Sequence, residues 1–114
     1  MSILSFLFKK QNLSDKVRIL DKEEYKKAIS KGKIQLVDVR TKAEFMAGHI
    51  KGARNIDYFH AVAFAEGFSK LKKNSPIYLY CQSGNRSQKA AKRLVDMGFE
   101  QVYDLRGGFR SWSY

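Results

Sequence analysis

The sequence predicts an α/β domain of three layers, built on a mainly parallel sheet. Three observations carry this. Short apolar runs rich in β-branched and aromatic residues recur along the chain, at 17–20, 34–39, 77–80 and 102–104. Between them lie segments with helical spacing, several opened by capping patterns. The runs at 34–39 and 77–80 are apolar almost throughout, as parallel strands covered on both faces are. Strands alternating with helices place the layers above and below one sheet.

At 114 residues the chain forms one domain, with an extension at 1–15 and the folded unit at 16–114. Cys81 is the only cysteine, so an intramolecular disulfide is excluded and a thiol-metal cluster lacks ligands. A free thiol suits a reducing compartment, so a cytoplasmic location is expected. The net charge of +11 attracts anions in general. Its basic residues are scattered from Lys9 to Arg110 without an arginine-rich tract, which reads as a solvated surface rather than a nucleic-acid footprint.

The extension begins Met-Ser-Ile-Leu-Ser-Phe-Leu-Phe-Lys-Lys, a run too short to span a bilayer. Ile3, Leu4, Leu7 and Phe8 share one helical face. Packing on the domain competes here with a weak membrane-surface or partner contact through residues 1–10, helped by Lys9 and Lys10. Residues 12–16 then read as a linker.

After the strand at 17–20, Asp21 and Glu24 form a capping box, with Leu20 and Tyr25 as its hydrophobic staple. Tyr25, Ala28 and Ile29 give that helix its buried face, and Gly32 stands where a C-terminal cap belongs. The strand at 34–39 ends in Asp38-Val39-Arg40. Thr41 and Glu44 then repeat the capping pattern before a brief helix that stops at Gly48. Residues 48–56 make a glycine-punctuated turn into a further short strand. His49 within it is read as tying down its own loop rather than as a catalytic base, and no metal-ligand spacing accompanies it. Residues 58–74 are expected to be helical in part. Phe64, Phe68 and Leu71 share one face as core, and Gly67 interrupts the helix.

Chemistry concentrates at Cys81-Gln82-Ser83-Gly84-Asn85-Arg86-Ser87, where the strand at 77–80 meets the next helix. A thiolate is the nucleophilic form of cysteine, and it is favoured near a helix N-terminus or a cation. This loop offers both, through unpaired amides and Arg86. Ser87 is read as the N-cap of the helix, whose apolar stripe is Ala90, Ala91, Leu94, Val95 and Met97. An inert buried cysteine would not need Gly, Asn and Arg crowded behind it.

Taken together, these pieces resemble a single rhodanese-like domain over residues 17–112. The resemblance rests on Leu36-Val37-Asp38-Val39-Arg40 with Glu44-Phe45, on Gly48-His49-Ile50 through Asn55-Ile56, on Cys81-x-x-Gly84-x-Arg86-Ser87, and on Gly107-Gly108 with Trp112. It implies a mainly parallel five-stranded sheet with helices on both faces. It further implies a sulfurtransferase of the thiosulfate type that works without a cofactor or metal through a Cys81 persulfide. A small anionic sulfur donor would load Cys81, and a thiol, cyanide or a protein would accept the sulfur. Gln82, Ser83, Gly84, Asn85, Arg86 and Ser87 would cradle the donor and the persulfide, with Arg86 on the donor's oxygens. Asp38, Arg40, Glu44 and His49 match family positions and are carried over as scaffold. Two alternatives stand beside this: a phosphatase or arsenate-reductase-like enzyme on the same fold, and a non-catalytic interaction module. Only four residues separate Cys81 from Arg86, one fewer than in those phosphatase-like loops, which favours a terminal sulfur over tetrahedral phosphate.

Overall fold

A computed structural model describes residues 15–112. Its elements in chain order are β1 (Val17–Leu20), α1 (Lys22–Ile29), β2 (Gln35–Asp38), α2 (Lys42–Ala47) and β3 (Arg54–Asn55). They continue with α3 (Ala61–Ser69), β4 (Ile77–Tyr80), α4 (Asn85–Asp96), β5 (Val102–Leu105) and α5 (Gly108–Trp112). The five strands form one sheet in the order β1-β5-β4-β2-β3, every pairing parallel. The N-terminal amphipathic segment, with its competing readings of packing on the domain and contact with a membrane surface or partner, lies outside the described residues.

Strand alternation builds the layers. Ile77, Leu79, Val37 and Val39 pack with Phe64 and Phe68 of α3 and with Ala90, Ala91 and Leu94 of α4 on one face. Tyr80, Leu36, Leu20 and Leu105 pack with Tyr25 of α1, and Phe109 and Trp112 of α5 join them on the other. The buried strands are apolar on both faces because helices cover both.

The two capping boxes form as the sequence predicts. Asp21 accepts from the Glu24 amide at 2.9 Å and Thr41 from the Glu44 amide at 3.2 Å, and each glutamate reaches back to its cap. Three expectations are corrected. Gly32 lies two residues past the cap of α1, which is Ser30. Gly67 does not interrupt α3: the helix runs through it, and a Cβ there would sit 3.0 Å from the Ile56 side chain, so the glycine admits close packing. Ser87 is not a cap. Gly84 opens α4 in a left-handed conformation, φ 107°, that favours glycine, and this leaves the Ser87 hydroxyl for another partner.

Candidate functional site

Cys81 stands at the C-terminal end of β4, between β5 and β2, where a parallel sheet presents its ligand crevice. The residue is buried, and its Sγ receives the Gly84 amide at 3.0 Å and the Ser87 hydroxyl at 3.3 Å. The left-handed turn at Gly84 folds the loop back so that its own N–H reaches the sulfur three residues earlier. Both donors present their hydrogens to the sulfur from within its own loop and the helix that follows. The loop's other face is pinned from α5, where the Phe109 and Arg110 amides donate to the carbonyls of Cys81 and Gln82 at 2.8 and 3.0 Å. Gly108 makes that approach possible, because a Cβ there would lie 2.5 Å from the Cys81 carbonyl oxygen.

Arg40 braces the loop from the side. It is buried, with Nε and Nη2 on the Asp38 carboxylate at 2.8 to 3.1 Å, Nη2 also on the Gly48 carbonyl at 2.6 Å, and Nη1 on Gln82 Oε1 at 3.1 Å. The guanidinium lies 4.5 Å from the centre of the Phe109 ring. Burial works against its charge, but the bonds to Asp38 outweigh it and hold the guanidinium more firmly protonated than usual. Asn55 ties the segment further, donating to the carbonyls of Asp38 and Arg40 at 3.0 and 2.9 Å. His49 stacks on Phe45 at 3.7 Å and bonds its carbonyl at 2.9 Å, so it is engaged locally, as read from the sequence.

Arg86 is held by α2. Its Nη1 and Nη2 donate to the two oxygens of Glu44 at 2.7 and 2.9 Å, and its guanidinium lies 5.5 Å from the Phe59 ring centre. This pairing, opposed by partial burial and aided by Thr41, draws the Glu44 carboxyl down to about 2. Two of the five guanidinium N–H groups are thus engaged with Glu44, and the remaining edge is free of that pairing. The bonds to Glu44, against some burial, hold the Arg86 guanidinium more firmly protonated than usual. Among the predicted cradle residues, Gly84 and Ser87 contact the sulfur, Gln82 is held by Arg40, and Arg86 is oriented by Glu44.

One buried polar group was not predicted from sequence. Asp104, fully buried on β5, has no hydrogen-bond partner for either carboxyl oxygen. Burial, with no hydrogen bond to offset it, pushes its carboxyl up to about 7. Only its place in an otherwise apolar strand could have marked it.

The arrangement defines an α/β domain that presents one buried, donor-lined cysteine at the end of its central strand. Comparison with known proteins agrees: residues 21–114 match the rhodanese-like domain, and the chain belongs to that family. It is 38% identical to YqhL of Bacillus subtilis, over 84% of this chain and 72% of that protein. Thiosulfate sulfurtransferase GlpE of Pseudomonas aeruginosa is 41% identical over 68% of each chain. Among solved structures, the rhodanese-like domain protein of Staphylococcus aureus aligns with a TM-score of 0.73 and 28% identity, covering 83% of this chain and 90% of that one. The human single-domain sulfurtransferase TSTD1 aligns with a TM-score of 0.70 and 26% identity, covering 83% and 94%.

Proposed function

We propose that this chain is a sulfurtransferase that carries sulfane sulfur on Cys81. The Cys81 thiolate attacks the outer sulfur of a small anionic donor, such as thiosulfate or a low-molecular-weight persulfide. The sulfur–sulfur bond of the donor breaks, and sulfite (or the donor thiolate) leaves with the electron pair. The product is a Cys81 persulfide anion, held by the loop 82–87. A thiol, cyanide or protein thiolate then attacks the terminal sulfur and releases the Cys81 thiolate. Arg86, with the edge not engaged by Glu44, holds the donor's oxygens.

The observation that carries this reading is the Sγ seated under the Gly84 amide and Ser87 hydroxyl, in a loop with four residues between Cys81 and Arg86. Preorganised donors aimed at a sulfur anion stabilise the charge that develops there. The kinship with thiosulfate sulfurtransferase GlpE supports the same chemistry. Among the described residues no helix is long and apolar enough to cross a membrane, and a working thiol fits a reducing cytoplasm.

The test is direct. Incubation with thiosulfate should leave the intact protein one sulfur atom heavier by mass spectrometry, and Cys81→Ser should show no gain. Wild-type protein that stays unloaded with thiosulfate, mercaptopyruvate and glutathione persulfide alike would sink the proposal.

A further inference from the structure

At the end of the sheet away from Cys81, β2, β4 and the C-terminal end of α1 border a cleft of about 450 Å³. Strand geometry sets it apart from the sulfur, because the extended chain from Pro76 to Cys81 spans roughly 16 Å. The volume suits a small molecule, for which clefts run from about 300 to about 1,000 Å³. Its lining is of two kinds. Ile34, Pro76 and the ring of Tyr78 supply apolar walls, and Lys31, Lys33 and Lys72 bring three cations to it. No acidic residue lines the cleft, and among the described residues none of these lysines forms an ion pair.

The walls are set by the fold itself. Gln35, the first residue of β2, accepts from the Lys72 amide at 2.7 Å. Its own amide donates to the Lys72 and Pro76 carbonyls at 3.0 and 3.4 Å. One side chain thus clamps the turn between α3 and β4, and with it the backbone that carries Lys72 and Pro76. Tyr78 stacks on Tyr103 with ring centres 4.9 Å apart and stands perpendicular to Tyr25 at 5.7 Å. Its ring is therefore a held aromatic surface. Burial, then Tyr103, keeps the Tyr78 hydroxyl above its ordinary range, so at neutral pH it adds no negative charge. Walls fixed beforehand lower the ordering cost of binding.

We propose that this cleft is a second binding site, for a planar aromatic body carrying an anionic head such as a carboxylate, sulfonate or phosphate. The aromatic part lies against Tyr78, Ile34 and Pro76, and the head meets the lysines. The lining selects that class. A neutral apolar guest leaves three ammonium groups without a counter-charge, and a small inorganic anion leaves the apolar walls in water. Lysine ammoniums are point charges on flexible stems and accept any of these heads. They select charge, while the clamped walls select shape.

The probe is anilinonaphthalene sulfonate, an aromatic sulfonate whose fluorescence rises as it leaves water. Wild-type protein should bind it saturably, with amide resonances in 31–35 and 72–78 shifting in an NMR titration. Each exposed charge contact is worth about threefold in affinity, so Lys31→Gln, Lys33→Gln and Lys72→Gln combined should weaken binding by at least about tenfold. All three side chains are exposed, so this variant keeps the fold. It should bind the uncharged phenylnaphthylamine as wild type does. Absence of saturable binding would overturn the proposal. Sulfonate binding of equal strength in wild type and variant, or a loss that the uncharged probe shares, would do so equally. Shifts confined to 82–87 would place the anion at the Cys81 loop and also refute it. None of these measurements depends on sulfur transfer, so this site and the sulfur-carrying role of Cys81 stand or fall separately.

Discussion

At the scale of single residues, the site depends on Arg86 being presented rather than merely present. A bidentate pair with Glu44 fixes the plane of its guanidinium, and an ammonium cannot reproduce that fork. Arg86→Lys is therefore expected to slow thiosulfate loading by about tenfold, the equivalent of one charge-assisted hydrogen bond, with the protein still folded. Single-turnover loading followed by mass would show it, and an unchanged rate would remove Arg86 from the donor site. The pair also has a pH signature. The Glu44 carboxyl is held at about 2 in the fold against an ordinary 4.5, so its stabilisation is complete above 4.5 and is lost as pH falls towards 2. Glu44 is partly exposed, which limits that contribution to ~1 kcal/mol. Glu44→Gln should thus lower stability at neutral pH by that amount and have no effect near pH 2.

At the scale of elements, the Cys81 loop is a junction of three segments that meet only in the fold. Arg40 bridges the end of β2, the end of α2 and the side chain of Gln82, while α5 clamps the loop carbonyls. Removing Arg40 leaves Asp38 buried without its counterion. Arg40→Ala should cost on the order of 3–5 kcal/mol, read as a fall in denaturation midpoint. Gly108→Ala tests the clamp. Its Cβ would meet the Cys81 carbonyl at 2.5 Å, and its φ of 64° disfavours a side chain. A loss of at least ~2 kcal/mol together with loss of loading is expected, and normal loading would show that α5 is not needed to shape the loop.

How much of this was legible in the sequence follows from what each feature depends on. The strands, the capping boxes and the Cys81 loop are local, written in residues a few positions apart, and they appear where spacing put them. Features made by distant contacts were misread. Gly67 looked like a helix breaker because its reason, the Ile56 side chain, lies on another segment. Ser87 looked like a cap because Ser commonly is one, yet the left-handed Gly84 took that place and the hydroxyl turned to sulfur. Arg86 was assigned to the donor without its anchor, since nothing local ties it to Glu44, 42 positions away. Asp104 was passed over as an ordinary strand residue because its meaning lies in what surrounds it.

At the scale of the molecule, Asp104 sets a pH slope on the whole fold. Burial holds its carboxyl up at about 7 in the folded chain against an ordinary 3.8, so the fold binds the extra proton between those limits. Stability should therefore fall as pH rises from about 4 to 7 and then stay level, by about 4 kcal/mol in all. Asp104→Asn should flatten this slope, and the gain in stability over wild type should be large at pH 8 and small at pH 4. Chemical denaturation at the two pH values measures it.

The strand order has a consequence for how the protein comes into being. Among the described residues β1 pairs only with β5, which inserts between β1 and β4, and the amides that close the Cys81 loop belong to α5 immediately after. As the described chain emerges from the ribosome, the strand made first waits unpaired until the strand made last arrives. Cys81 is synthesised well before its loop can be closed. Closure of the proposed sulfur-carrying loop is thus deferred to the completion of the sheet, and a nascent chain stalled before Val102 should take up no sulfur from thiosulfate on Cys81.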